Sequence, residues 1–234
     1  MQPMNARCNG YGLAHVVCAV ALVNVLTSIL LFTAAVAGNT KPIHLVAFGD
    51  SLSAGYGLRS SQSFPAQLQK ELKARGHDVV VSNGGVSGDT TADGLARITW
   101  AIGNDADAVI LEFGGNDALR GIDPKVTRAN LEKILAKLAE KHIPVLLAGM
   151  RSPANWGDTY AEDFDAIFPD LAKQHALLFY PFFLDGVVLD AKLNQDDGMH
   201  PNSKGVAQIV RSMLPSVEEL ISKAEAQRAA ASKS

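Results

Sequence analysis

From Lys41 onward, short apolar runs rich in β-branched residues alternate with longer amphipathic segments, and this alternation constrains the fold more than any other feature. Such an order predicts strand–helix–strand units with parallel strands. The apolar runs, such as Ala108-Val109-Ile110-Leu111, are continuous, which is typical of strands covered on both faces. We therefore predict an α/β domain with five strands, at Ile43–Phe48, Asp78–Ser82, Asp107–Phe113, Ile143–Gly149 and Leu177–Phe182.

The segments between the strands carry helix signals. Ser63 is suited to cap a helix over residues 64–75, and Asp123-Pro124 is suited to open another. A last helix is predicted from about Ser203 towards Ala226, with a frayed tail at Arg228–Ser234. We find no internal repeat and no interdomain linker, so one domain is expected.

Residues 1–37 differ from the rest of the chain. They contain no acidic residue and one basic residue, Arg7, and a long apolar run ends at Ala35-Val36-Ala37. This composition predicts a secretory signal peptide cleaved after Ala37, and hence a periplasmic or secreted protein. An uncleaved anchor is the alternative, because ~20 apolar residues can span a bilayer. The cleavage motif and the polar interruptions at His15 and Asn24 favour cleavage.

Both cysteines, Cys8 and Cys18, lie in this segment, so the predicted mature domain, residues 38–234, has no thiol. Cysteine catalysis and disulfides are thereby excluded from it. The formal net charge of −3, without a basic stripe, argues against a nucleic-acid partner. We expect a monomer that acts on a small molecule and has no stable membrane span after cleavage.

Polar, glycine-containing loops follow the predicted strands. In open parallel sheets the binding crevice lies beyond the carboxyl ends of the strands, so such loops are expected to converge on one rim. The loops are Phe48–Gly57, Asn83–Thr90, Gly114–Asp117 and, further from the fifth strand, Asp196–Asn202.

These loops resemble the four sequence blocks of the SGNH, or GDSL, hydrolase family. Each block alone is a weak signal, but four in the right order and strand context are a strong one. The matching segments are Gly49-Asp50-Ser51-Leu52-Ser53-Ala54-Gly55-Tyr56, Ser87-Gly88-Asp89-Thr90, Gly94-Leu95-Ala96-Arg97, Gly114-Gly115-Asn116-Asp117, Leu119-Arg120-Gly121, and Asp196-Asp197-Gly198 with His200-Pro201-Asn202.

The resemblance extends from about Ile43 to Leu214 and is nearest to exported bacterial arylesterases, acyl thioesterases and lysophospholipases. It implies a three-layer α/β/α fold with a flavodoxin-like five-stranded parallel sheet. It also implies hydrolysis of esters and thioesters of acyl chains, including lipid substrates, through an acyl-enzyme and without a cofactor.

Ser51 is the candidate nucleophile, because a serine at a strand-to-helix turn exposes its hydroxyl to a neighbouring base. A helix-capping role is the alternative. Among the histidines that remain after cleavage, only His200 lies in a loop with an acidic residue three positions earlier. His200 is therefore the candidate base, with Asp197 as its orienting acid. Asp196 is a rival, although the family's Asp-x-x-His spacing selects Asp197.

The resemblance also implies an oxyanion hole. Its donors would be the backbone N–H groups of Ser51 and Gly88 and the side-chain amide of Asn116. Gly88 is a suitable position because backbone without a Cβ can approach a substrate closely. Gly85 competes with it in the same glycine-rich loop, and Asn116 has the alternative role of a turn residue.

The sequence also allows other interpretations of the site and of the function. A metal site would need three or four ligands, and no second histidine or cysteine stands at ligand spacing near His200, so no metal is expected. The loop at residues 151–160 is expected to wall the acyl site, with Trp156 either lining it or packing elsewhere. The alternative functions are a carbohydrate O-deacetylase and a non-catalytic lipid- or glycan-binding module.

Overall fold

A five-stranded sheet, with every strand parallel to its neighbours, lies at the centre of the domain. The structure, a computed structural model, describes Met1 and residues 41–232. Beyond Met1, the predicted signal peptide therefore lies outside the described residues. The strands are β1 (Ile43–Gly49), β2 (Val79–Asn83), β3 (Ala108–Glu112), β4 (Val145–Ala148) and β5 (Leu178–Tyr180), in the spatial order β2-β1-β3-β4-β5.

Helices cover both faces of this sheet. They are α1 (Ser51–Ala54), α2 (Phe64–Ala74), α3 (Thr91–Ile102), α4 (Gly115–Leu119), α5 (Pro124–Glu140), α6 (Asp158–Asp165), α7 (Ile167–Gln174) and α8 (Ser203–Ala231). Helices α2 and α8 pack together on one face, and α3, α5 and α7 lie on the other. This confirms the predicted three-layer α/β/α fold, with the strand order of flavodoxin-like sheets.

The core follows from the continuous apolar strands. Every position of β3 is buried, and Phe48 of β1 is fully buried beside Phe113, which follows β3. Their rings pack edge to face, with centroids 4.9 Å apart. Burying a large apolar side chain contributes about 1.5–3 kcal/mol, so this central layer is the main source of stability.

Three strands are shorter than predicted. Strand β3 lacks one predicted residue at each end, Asp107 and Phe113, and proline interrupts the other two. Strand β4 begins at Val145 instead of Ile143, since Pro144 has no N–H for the ladder. Strand β5 stops at Tyr180 instead of Phe182, since Pro181 follows it directly.

The last helix is longer than predicted. Helix α8 has 29 residues and continues to Ala231, so the expectation of a frayed tail from Arg228 is wrong for the described part of that tail. Arg228 forms an ion pair with Asp107, just before β3, and donates to the carbonyl of Pro42 at 3.1 Å. These long-range contacts hold the helix end. None of the helices formed by residues 41–232 combines the length and the apolar composition that a bilayer span requires.

Candidate active site

The first site residue, Ser51, lies where strand β1 passes into helix α1. Asp50 stands between the two elements and accepts a hydrogen bond from the Leu52 N–H at 3.0 Å, which caps the helix. Gly49 allows this tight turn, because a Cβ there would lie 2.4 Å from side-chain oxygens of Glu112 and Ser53. The turn places Ser51 on the wall of a cavity at the carboxyl edge of the sheet.

His200 and Asp197 meet Ser51 from the loop before α8. The Ser51 Oγ lies 2.9 Å from His200 Nε2, and His200 Nδ1 lies 2.7 Å from Asp197 Oδ2. The three side chains thus form a continuous hydrogen-bonded chain, with serine at one end and a carboxylate at the other. In this order the imidazole can accept the serine proton while the carboxylate fixes its tautomer.

The backbone of the same loop fixes the carboxylate. Gly198 has a φ of 68°, and this turn lets the other carboxylate oxygen of Asp197 accept the N–H groups of Met199 and His200, both at 2.9 Å. The pKa of Asp197 is lowered to about 2 by these hydrogen bonds. The backbone N–H of His200 has the largest effect, followed by the N–H of Met199 and by the imidazole of His200. Asp197, and not its rival Asp196, is therefore the carboxylate that contacts the imidazole.

Two residues that the sequence analysis missed join the His200 loop to the Ser51 loop. Gln195 donates from its side-chain amide to the Tyr56 carbonyl at 2.8 Å, and from its backbone N–H to the His200 carbonyl at 2.8 Å. The Tyr56 ring packs on the imidazole of His200, with ring centroids 4.6 Å apart. Tyr56 belongs to the sequence block that contains Ser51, so its place near the site could have been predicted. No sequence motif points to Gln195.

Asn116, at the start of α4, reaches the same cavity. Its Nδ2 donates to Asp50 Oδ2 at 3.0 Å, so Asp50 orients this amide as well as capping α1. An amide nitrogen carries two hydrogens, and the second is available to a ligand. Burial raises the pKa of Asp50 to about 6, against the opposing effect of hydrogen bonds from Leu52 and Asn116.

Gly88 and its rival Gly85 have different surroundings. Gly88 lines the cavity with a φ of 88°, which favours glycine, and its carbonyl accepts from Arg120 at 2.8 Å. The N–H of Gly85 instead donates to Asn83 Oδ1 at 3.0 Å, and a Cβ at Gly85 would lie 2.3 Å from the Ala54 nitrogen. Gly85 is therefore a packing position, and Gly88 is the glycine that a substrate can reach.

A buried arginine, Arg97, contacts both the turn before Ser51 and the loop that carries Gly88. Arg97, on α3, donates to the carbonyls of Gly49 and Gly84, both at 2.8 Å, and forms an ion pair with Asp89. Its guanidinium therefore connects the turn before Ser51 with the loop that carries Gly88. The sequence block containing Arg97 was recognised, but its role was not, because the partners are distant in sequence.

A second buried charge-bearing group lies at the end of β3. Glu112 is fully buried, and its Oε2 accepts from Ser53 Oγ at 2.8 Å, while Oε1 has no hydrogen-bond partner among residues 41–232. Burial, and then the nearby Asp50 carboxylate, raise the pKa of Glu112 well above its usual value. A lone acidic residue in an otherwise apolar strand was the visible signal for this site.

The cavity has a volume of about 790 Å³ and a mostly apolar wall. The first part of the predicted wall loop, Arg151–Ala154, lines it. Trp156 packs elsewhere, since its ring covers Gly121 and its Nε1 donates to the Ala118 carbonyl at 2.7 Å. The packing alternative for Trp156 is therefore the one that the structure supports.

Within the described ranges, no group of three or more histidine, cysteine or acidic side chains is placed to hold a metal ion. The chemistry of the site rests on a hydroxyl, an imidazole and a carboxylate. Such a set can transfer an acyl group through a covalent intermediate.

Comparisons with known proteins agree with this chemistry. Residues 47–208 match the model of the GDSL-like lipase/acylhydrolase family. The chain is similar to an arylesterase of Vibrio mimicus, with 39% identity over 193 residues, covering 81% of this chain and 96% of the relative. It is also similar to thioesterase 1/protease 1/lysophospholipase L1 of Escherichia coli K12, with 38% identity over 76% of this chain and 84% of that one.

A solved structure shows the same likeness. AlinE4, described as an SGNH-hydrolase family esterase, is 42% identical in sequence to this chain. The match covers 77% of this chain and 97% of AlinE4. The TM-score of the two structures is 0.66.

Proposed function

The chain belongs to the GDSL-like lipase/acylhydrolase family and is an ester-cleaving hydrolase, and from this premise we propose that Ser51, His200 and Asp197 are its catalytic triad. The substrates we propose are carboxylic esters and thioesters of acyl chains. Arylesters, acyl thioesters and lysophospholipids are the candidates, by similarity to relatives that carry these activities in their names.

In the acylation half-reaction, Ser51 Oγ attacks the carbonyl carbon of the ester while His200 Nε2 takes the serine proton. Negative charge then develops on the carbonyl oxygen. The backbone N–H groups of Ser51 and Gly88 and the amide of Asn116 are the proposed donors to this oxyanion. When the intermediate collapses, the bond to the leaving group breaks, and His200 gives its proton to the departing alcohol or thiol.

In the deacylation half-reaction, water replaces the alcohol. His200 takes a proton from water, the resulting hydroxide attacks the acyl-serine carbonyl, and the same donors hold the second oxyanion. The acid is released and Ser51 regains its proton. Asp197 stays ionised throughout, because its lowered pKa keeps it a carboxylate at neutral pH, and it stabilises the imidazolium in both steps.

The observation that carries this proposal is the 2.9 Å separation of Ser51 Oγ and His200 Nε2, with Asp197 behind the imidazole. We test it with a fluorophosphonate probe, which reacts with activated serines. The probe should modify Ser51 in the parent protein, and Ser51→Ala should abolish labelling. Ser87→Ala, which removes another hydroxyl of the cavity wall, is the matched control and should still be labelled.

Turnover identifies the substrate class. Hydrolysis of p-nitrophenyl esters, acyl-CoAs and lysophospholipids should be lost in Ser51→Ala. Stoichiometric lipid or glycan binding without labelling would instead indicate a binding module, and release of acetate from acetylated sugars alone would indicate a deacetylase.

We also propose that the protein is exported. The support is the composition of residues 1–37, with its apolar run and terminal Ala-Val-Ala, and the absence of cysteine from the rest of the chain.

A further inference from the structure

One basic residue on the cavity wall has no role in the mechanism above. Arg151 follows strand β4 at the same sheet edge as Ser51, and both residues line the cavity. Arg151 is exposed to solvent, and it is the one lysine or arginine among the described residues that line the cavity. The wall around it includes Met150, Pro153 and Phe182, which are apolar.

The guanidinium of Arg151 is held in place but not neutralised. It lies over the ring of Phe182, with 4.9 Å between its central carbon and the ring centroid. Arg97, Arg128 and Arg228 each form ion pairs with carboxylates, whereas Arg151 makes no ion pair or hydrogen bond with the described residues. A cation–π contact fixes the position of a guanidinium and leaves its N–H groups available.

A fixed, unpaired guanidinium in a largely apolar cavity is complementary to an oxyanion. Its planar N–H groups match two oxygens of a phosphate or carboxylate at once. A neutral ester offers no such partner. An ester that carries a phosphate on its alcohol portion offers one on the same molecule that Ser51 attacks.

We propose that Arg151 binds an anionic group of the substrate and thereby selects phosphate-bearing esters over neutral ones. This inference rests on the proposed function, because it assigns part of the substrate to the same cavity. Arg151 is thus a specificity residue, separate from the groups that move protons or hold the oxyanion.

The test compares two esters that differ only in the phosphate. These are octanoyl glycerol and octanoyl glycerol phosphate, both below the concentrations at which they aggregate. Values of kcat and KM are measured for the parent, Arg151→Gln and Arg151→Lys. The matched control is Arg211→Gln, which removes an exposed arginine on α8 outside the cavity. Fluorophosphonate labelling of Ser51 confirms that each variant has a folded site.

The readout is the ratio of kcat/KM for the phosphate ester to that for the neutral ester. Arg151→Gln should lower this ratio by roughly ten-fold or more, mainly through KM of the phosphate ester, since it removes a charge-assisted hydrogen bond. Arg151→Lys should lower the ratio less than Arg151→Gln, because an ammonium keeps the positive charge but cannot donate to two oxygens at once from planar N–H groups. Arg211→Gln should leave the ratio unchanged.

A second measurement uses inorganic phosphate as an inhibitor of neutral-ester hydrolysis, and inhibition should weaken in Arg151→Gln. An unchanged ratio in Arg151→Gln would overturn the inference, and so would an equal fall of the ratio in Arg211→Gln. A parent protein that cleaves neither ester and is not labelled would overturn the proposed function itself.

Discussion

Three carboxyl groups near Ser51 show how surroundings decide the state of a single residue. Asp197 is partly exposed and accepts backbone N–H groups, and its pKa is lowered to about 2. Asp50 is buried, which raises its pKa to about 6. Glu112 has no exposure at all, and its pKa is raised well above the usual value. The first therefore favours the carboxylate form most strongly, and burial favours the protonated form of the last.

The role of Asn116 leads to a prediction about turnover. Asn116→Ala removes the amide donor from the cavity, so kcat should fall on the order of 10²–10³, as is typical for one oxyanion donor. KM should change little, because the missing hydrogen bond is strongest in the transition state. Asn104→Ala, an exposed position before β3, is the control. A loss of less than ten-fold in kcat would argue against this role.

The raised pKa of Glu112 predicts a pH-dependent difference in stability. In the parent, the folded state retains the Glu112 proton above pH 4.5 while the unfolded state releases it. The contribution of this group to the unfolding free energy is therefore full below pH 4.5 and decreases as the pH rises towards the folded pKa. Glu112→Gln has no proton to lose, so its unfolding free energy relative to the parent should rise between pH 4.5 and 8.

Urea unfolding at several pH values measures this difference. Glu140→Gln, at the exposed end of α5, is the matched control and should show no such trend. If the difference between Glu112→Gln and the parent is constant across that range, Glu112 is not the buried neutral acid that the structure indicates.

At the level of elements, the site is built from segments that follow different strands, and contacts between elements fix their relative positions. Ser51 follows the end of β1 and Gly88 lies in the loop after β2. Arg97 of α3 donates to the carbonyl of Gly49, the last residue of β1, and to that of Gly84, the first residue after β2. One guanidinium with several directed donors can do this, whereas an ammonium cannot span the same acceptors.

Arg97→Lys should therefore lower kcat on the order of 10², through misplacement of Ser51 and the oxyanion donors. It should also lower the unfolding free energy by about 1–3 kcal/mol, because buried carbonyls lose their partners. Arg75→Lys, in an exposed i,i+4 pair with Glu71, is the control and should be near neutral. A variant that loses stability but keeps the parental kcat would show that Arg97 acts on folding alone.

The helices and strands show which features of the fold can be predicted from local sequence and which depend on contacts between distant residues. All five strands were located, because an apolar run between turn residues is a local signal. The end of α8 was not, because Arg228 is held by Asp107, 121 residues away. The triad candidates were found from short motifs, whereas Gln195, Arg97 and Glu112 act through contacts that only the assembled sheet creates.

At the scale of the whole molecule, the signal peptide proposed for residues 1–37 leads to a prediction about the mature protein. If residues 1–37 are a signal peptide, the full chain expressed in Escherichia coli should yield a periplasmic product whose intact mass begins at Gly38. Ala37→Phe should block cleavage, because a large residue replaces the small one at the predicted site. A parent protein that keeps Met1 and stays in the membrane fraction would favour an anchor.

The distance along the chain between Ser51 and His200 also sets the order in which reactivity arises. The imidazole is 149 residues later than the hydroxyl it activates. During synthesis the amino-terminal part of a chain can fold first. A ribosome-bound chain that has completed β1 to β5 therefore carries Ser51 as an ordinary alcohol without its base. The proposed triad is therefore complete only in a chain that has been synthesised at least as far as His200.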